Sequence, residues 1–157
     1  MMKSVKRLTA SGITIAIYID LMYLTQFLSL GQIRIRVADC IYALCHVYPF
    51  LIVPLGVANF IGYLFFGGFG PVDMIGWTLV GTITAAGVRI IRILQLNKWF
   101  TVIPVIMIPG FFAPVWLSYL LHIPYIILAL GILAGQSVPA VAGVVLLKKI
   151  VRFAPKF

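Results

Sequence analysis

Two arginines and an aspartate stand within six positions of one another in a strongly apolar chain: Arg34, Arg36 and Asp39. The stretches on either side, 22–30 and 40–72, contain no lysine, arginine, aspartate or glutamate. Carboxylates and guanidinium groups form strong, charge-assisted hydrogen bonds, and in apolar surroundings such groups usually face a cavity or a partner. We therefore expect this segment to contact a small polar ligand.

The polar side chains that accompany this segment are few. Asp20, Asp39 and Asp73 are the only carboxylates of the chain, and Asn59 and Gln136 are amides within apolar stretches. Together with Arg34 and Arg36, these residues form the predicted substrate-binding set. Most of them also have a structural explanation. Asp39 and Asp73 suit the first turn of a helix, and Asp39 could instead pair with Arg36. Asp20 could form an ion pair or bond another helix, as could an asparagine, and an arginine suits a lipid headgroup.

The composition indicates the environment in which these groups lie. Of 157 residues, 63% are hydrophobic and only 10% are charged, and the mean hydropathy is +1.16. Soluble domains carry about 25% charged residues, so the chain is predicted to be an integral membrane protein. Its apolar runs are long and do not alternate, which favours helices that span the bilayer over a barrel.

The apolar runs predict one all-α membrane domain over residues 1–157, with six transmembrane helices. Between the first two spans the residues alternate between polar and apolar, which predicts an extended lid over 31–38. Prolines at 104, 109 and 114 predict that the fifth span is broken or kinked. The predicted spans are about 8–29, 38–47, 51–66, 72–93, 100–120 and 124–147.

The basic residues predict the orientation. With both termini in the cytoplasm, the basic residues that fall inside are Lys3, Lys6, Arg7, Arg89, Arg92, Lys98, Lys148, Lys149, Arg152 and Lys156. Arg34 and Arg36 alone fall outside, so the positive-inside rule is obeyed except in the charged segment. Asp39 and Asp73 then lie at the outer face. Asp20 lies roughly 18 Å from the inner end of span one at 1.5 Å per residue. An outward-facing pocket follows.

Several classes of function have no support in the sequence. The chain contains no Ser/His/Asp set, no metal-ligand cluster and no phosphate loop, so we expect no catalysis, no ATPase activity, no metal and no cofactor. The net charge of +9 is explained by the residues that flank the spans and does not indicate nucleic acid. A lipid-modifying enzyme would need an acidic or histidine cluster near the cytoplasmic face. A structural subunit without a ligand is the remaining rival.

Several motifs resemble one known family. The stretch from Gly31 to Asp39, the pair Ala58-Asn59, the turn from Gly67 to Asp73 and the pair Gly135-Gln136 are similar to the QueT family. That resemblance implies a six-helix substrate-binding (S) component of an energy-coupling factor (ECF) transporter in the cell membrane, which captures a queuosine precursor, a 7-deazaguanine. It also implies a transmembrane coupling subunit and two ATPases as partners, with Gly12 and Ala16 as the coupling-subunit contacts.

The residues suit such a ligand. A guanine-like edge offers adjacent N–H donors, which Asp39 or Asp20 can accept, while Asn59 and Gln136 can both donate and accept. An S component for another vitamin-sized solute would use the same groups. The aromatic residues available for stacking are Tyr18, Tyr23, Phe69, Trp77 and Trp116.

Overall fold

A computed structural model describes residues 2–25, 29–30, 33–34, 36–66 and 69–153 of the chain. Nearly all of them are helical. The long helices are α1 (Met2–Thr25), α2 (Ile52–Phe66), α3 (Pro71–Ile93), α4 (Val102–Leu121) and α5 (Tyr125–Phe153). A 3-10 helix, Val37–His46, lies between α1 and α2 and is called the short helix below. Shorter 3-10 turns, Pro49–Leu51 and Lys98–Thr101, lead into α2 and α4.

Five of these helical segments are long and apolar enough to cross a membrane. They are Val5–Thr25, Pro49–Phe66, Pro71–Ile93, Lys98–Leu121 and Tyr125–Arg152. The predicted fold class, an all-α membrane protein, is confirmed. The sixth apolar helix has only 10 residues, whereas a span needs about 20.

The charged segment before the short helix is partly extended. Ser29–Leu30 form strand β1 and Ile33–Arg34 form strand β2, and the two strands pair antiparallel with Ser29 opposite Arg34. The alternating pattern therefore predicted the extended backbone of Ile33–Arg34 correctly, but it was wrong at the end of the predicted lid, because Val37 and Ala38 already belong to the short helix. Residues 31, 32 and 35 of the predicted lid lie outside the described residues. The strand β2 packs against α5.

The proline-rich fifth span is a continuous helix. α4 runs from Val102 to Leu121 with Pro109 and Pro114 inside it, so the span is not broken, and a kink at these prolines stays a prediction. The helix ends at His122, whose backbone is left-handed with φ 54°, and Pro124 follows. A left-handed residue and a nearby proline both end helices, because neither continues the hydrogen-bonded ladder.

The short helix occupies the interior of the bundle. Each long helix packs against the next one along the chain, from α1 to α5. The short helix packs against α5, α3 and α1. Gly143 of α5 permits this contact, since a Cβ there would lie 2.8 Å from the Cys40 carbonyl oxygen. Ala38, Ile41, Tyr42 and Cys45 of the short helix are buried in the larger hydrophobic core. The short helix thus keeps its polar side chains buried within the bundle.

Candidate functional site

A cluster of polar side chains is buried where α1, the short helix, α2, α3 and α5 meet. None of its members is more than 8% exposed, although each carries hydrogen-bonding groups. Burying such groups is costly unless they are paired, so their hydrogen bonds determine what the cluster can do. The polar members are Tyr18, Arg36, Asp39, Tyr42, Asn59 and Gln136. We call them the central cluster.

Asp39 accepts hydrogen bonds on both carboxylate oxygens. The Tyr18 hydroxyl donates to Oδ1 at 2.9 Å, and Gln136 Nε2 donates to Oδ2 at 2.8 Å. Arg36 Nη2 lies 3.6 Å from Oδ1. The carboxylate therefore joins α1 to α5 and is held beside a cation, so its charge is compensated inside the apolar bundle.

Arg36 combines polar and aromatic contacts. Its Nη2 donates to Asn59 Oδ1 at 2.8 Å and to the Tyr18 hydroxyl oxygen at 3.0 Å. These two bonds use both hydrogens of that nitrogen, so the contact with Asp39 is mainly electrostatic. The guanidinium carbon also lies 4.4 Å from the centre of the Trp77 ring and 5.2 Å from that of Tyr63. Cation–π attraction at these distances further stabilises the buried charge.

The remaining bonds of the central cluster have one consistent direction. Asn59 Nδ2 donates to the Tyr42 hydroxyl at 3.0 Å and to the Trp77 carbonyl at 2.8 Å. The hydroxyls of Tyr42 and Tyr18 lie 3.1 Å apart. Because each hydroxyl has a single proton and that of Tyr18 goes to Asp39, Tyr42 must donate to Tyr18. The chain of bonds thus runs from Asn59 through both tyrosines to Asp39.

Two atoms at the edge of this network are buried and have no hydrogen-bond partner among the described residues. They are Gln136 Oε1, an acceptor, and Trp77 Nε1, a donor. Both side chains are fully buried. An unmade bond at such an atom costs about 1–3 kcal/mol, so a further polar partner would stabilise each of the two atoms.

Asp73 forms a separate pair near the start of α3. Its Oδ1 accepts from Trp116 Nε1 at 2.9 Å, and its Oδ2 accepts from the Phe69 backbone N–H at 3.1 Å. These bonds fasten the turn before α3 to α4. The ring of Trp116 meets that of Trp77 edge-on, with centroids 5.9 Å apart, which connects this pair to the central cluster.

Comparison with known proteins gives a family for this chain. A family model described as QueT transporter matches residues 8–152. The chain belongs to the QueT transporter family. No curated protein and no solved structure matches it. Membership confirms the resemblance drawn from the sequence motifs. It also identifies a multi-pass membrane protein that takes part in transport.

In this QueT family member, the central cluster unites four of the predicted site residues: Arg36, Asp39, Asn59 and Gln136. Asp20 is not among them. It is exposed on α1, because two residues of an α-helix turn it about 200° away from the buried Tyr18. Arg34 belongs to β2, and its side chain lies outside the described residues.

The predicted coupling contacts of the QueT chain lie on the exposed side of α1. Gly12 and Ala16 are both exposed, and they share a helix face with Asp20 because successive members are four residues apart. A Cβ on Gly12 would meet nothing within 4 Å. Only 6% of the α1 span is buried within the chain, against 33–44% of the other four spans. This face of α1 therefore packs against no other described part of the chain.

Sequence reasoning did not assign Tyr42 or Tyr63 to the site, and it named Tyr18 and Trp77 only as stacking residues. One signal was available: Asp39 and Tyr42 are three residues apart. On a 3-10 helix this spacing places both side chains on one face. However, 3-10 helices of 10 residues are uncommon, and no pattern in the sequence predicts one here. Tyr63 stacks parallel to Trp77 with an interplanar angle of 7°, a contact only the packing of α2 on α3 creates.

Proposed function

We propose that this chain is the membrane-embedded substrate-binding subunit of an ECF-type importer. It captures a queuosine precursor, a 7-deazaguanine, from outside the cell membrane. Uptake is driven by ATP hydrolysis in two partner subunits, through a transmembrane coupling subunit, and this chain has no ATPase activity of its own. Membership of the QueT transporter family supports a role in transport.

The observation that carries the proposal is the incomplete hydrogen bonding of the central cluster. Arg36, Asp39 and Asn59 have protein partners, while Gln136 Oε1 and Trp77 Nε1 keep an acceptor and a donor without partners among the described residues. Unmet groups in a core call for an explanation, and a bound ligand that pairs with them is one. A flat heterocycle with its own N–H groups and ring acceptors matches these needs.

The exposed face of α1 supports the proposed partner. Lipid satisfies an apolar helix face, but small residues spaced by four are the usual means by which two membrane helices approach closely. Gly12 and Ala16 provide this spacing, and their face is exposed. We therefore assign this face to the coupling subunit, with both termini in the cytoplasm.

Ligand-dependent stability tests the proposal. The detergent-purified chain is unfolded thermally with queuine, the cyano and aminomethyl 7-deazaguanines, guanine and a panel of vitamins. A ligand that binds only the folded state, present at 100 times its Kd, adds about 2.7 kcal/mol of stability. We expect a selective upward shift of Tm with the deazaguanines.

A pair of asparagine variants controls this measurement. Asn59→Ala removes the bonds to Arg36 and Tyr42 and should abolish the ligand-induced shift. Asn97→Ala changes the other asparagine of the chain, which is exposed, and should preserve the shift. A rise of Tm with a vitamin alone would show that the substrate is not a deazaguanine, but it would keep the substrate-binding role. No shift with any compound would favour a structural subunit.

A further inference from the structure

The carboxylate of Asp39 has little capacity left for a ligand. Oδ1 already accepts the Tyr18 hydroxyl and faces Arg36, and Oδ2 already accepts Gln136 Nε2. The side chain is only 2% exposed. The sequence suggested that Asp39 or Asp20 receives the N–H groups of a ligand. In the folded chain each oxygen of Asp39 already accepts from a protein donor, and Asp20 is exposed.

The same carboxylate fixes the orientation of the Gln136 amide. A carboxylate only accepts hydrogen bonds, so the amide must present its nitrogen to Asp39. The opposite orientation would place Oε1 against Oδ2, and two acceptors at 2.8 Å would repel each other. With its nitrogen held in this way, Gln136 must direct its oxygen elsewhere, and this oxygen is buried without a partner among the described residues.

From this geometry we infer that Gln136 Oε1 is the acceptor that selects the ligand, by receiving a hydrogen bond from one of its N–H groups. Asp39 is a positioning residue that acts through Gln136. The inference rests on the proposed function and makes it more specific. A 7-deazaguanine offers its pyrimidine-ring N–H, its pyrrole N–H and its exocyclic amine as donors, and one of them meets Gln136.

A buried acceptor of this kind gives strong discrimination. A site built to bond an N–H rejects an analogue without it, because the buried protein group is then left unsatisfied. An apolar wall could not discriminate in this way. The orientation of the amide matters as much as its presence, since an inverted amide would offer a donor and favour ligands that carry an acceptor instead.

Three ligand analogues and one variant test the assignment. Binding of 7-deazaguanine is compared with that of its analogue without the exocyclic amine and of its two analogues methylated on the pyrimidine-ring N–H or on the pyrrole N–H. We expect wild-type protein to bind at least one analogue roughly 10- to 100-fold more weakly. Gln136→Met keeps the side-chain length but removes the acceptor, so that preference should fall to about threefold or less. Ser137→Ala, at the neighbouring exposed position of α5, should retain it.

A charge exchange separates recognition from packing. Gln136→Glu places two carboxylates together and should abolish measurable discrimination. The double variant Asp39→Asn/Gln136→Glu lets the amide at position 39 donate to the new carboxylate, whose other oxygen again faces the ligand. We expect the preference of wild-type protein to return in the double variant, even where affinity is lower. A purely structural role for Gln136 predicts no such recovery.

The outcomes distinguish the two proposals. Wild-type protein that binds none of the deazaguanines overturns the proposed function and this assignment with it. Wild-type protein that binds them with no preference between 7-deazaguanine and the analogues overturns only the role of Gln136. The role of Gln136 is also overturned if the preference persists in Gln136→Met. It is overturned as well if the double variant, shown to be folded by its thermal unfolding curve, does not recover the preference.

Discussion

The Tyr18 hydroxyl has the most connections of any atom in the site. It donates to Asp39, accepts from Arg36 at 3.0 Å and lies 3.1 Å from the Tyr42 hydroxyl. The residue is fully buried. This oxygen thus joins α1 to the short helix and to Arg36, which precedes the short helix. Loss of the hydroxyl would leave several buried groups without a partner.

We expect Tyr18→Phe to lower the free energy of unfolding by about 1–3 kcal/mol, because Asp39 loses its donor while Arg36 and Tyr42 lose an acceptor. Denaturant or thermal unfolding of the purified protein in detergent measures the change. Tyr119→Phe is the matched control, since Tyr119 is 86% exposed and its variant should unfold like wild type. Equal stability of the two variants would show that the hydroxyl network contributes little.

At the scale of elements, the site depends on how closely α2 and α3 approach the short helix. Gly81 of α3 lies against Asn59 Nδ2 and the Tyr42 hydroxyl, and a Cβ at this position would collide with both atoms. Position 81 therefore has no room for a side chain while the hydrogen bond between Asn59 and Tyr42 is in place. The geometry of the central cluster is set by backbone separation as well as by its polar residues.

Gly81→Ala should destabilise the fold by about 1–3 kcal/mol, as overpacking of a dense core does, and it should also reduce the ligand-induced shift of Tm. Gly12→Ala is the matched control: its Cβ meets nothing within 4 Å, and alanine is the better helix former. Tm measurements with and without 7-deazaguanine compare the two. A Gly81→Ala protein with wild-type stability and ligand response would contradict the tight packing around Asn59.

For the whole molecule, the unequal burial of the spans separates two tasks. The ligand candidates lie where the short helix meets α1, α2, α3 and α5, whereas the exposed face of α1 carries Gly12 and Ala16. Tyr18 of α1 points to the ligand candidates and Ala16 to the exposed face, so α1 contributes to both regions. A residue on the exposed face of α1 can therefore be changed without altering the central cluster.

The double variant Gly12→Leu/Ala16→Leu should leave the ligand-induced Tm shift unchanged and abolish assembly with the coupling subunit, because larger side chains hold the helices apart. Co-purification with co-expressed coupling and ATPase subunits measures assembly. Ala134→Leu/Ala142→Leu changes two exposed positions of α5 in the same way and should assemble normally. Assembly that survives the α1 changes would place the coupling contact on another face.

The sequence by itself determined the membrane class and the family, and it singled out four polar residues that the folded chain brings together. Long apolar runs permit helices in lipid and little else, since backbone groups must be satisfied internally. Because charged residues are scarce, Arg36 and Asp39 could be identified as unusual. Prolines, glycines and charged residues also mark most of the helix ends. These features are local, so they can be read without knowing which helices touch.

The tertiary structure alone decided which of these residues meet. Asp20 and Asp39 are both rare carboxylates by sequence, but only Asp39 is buried against partners from other helices. Gln136 lies 97 positions from Asp39 along the chain and 2.8 Å from it in space. Nothing local specifies such a contact, because it depends on the way α5 packs on the short helix. That packing also leaves the Gln136 oxygen without a partner among the described residues, while both oxygens of Asp39 accept hydrogen bonds.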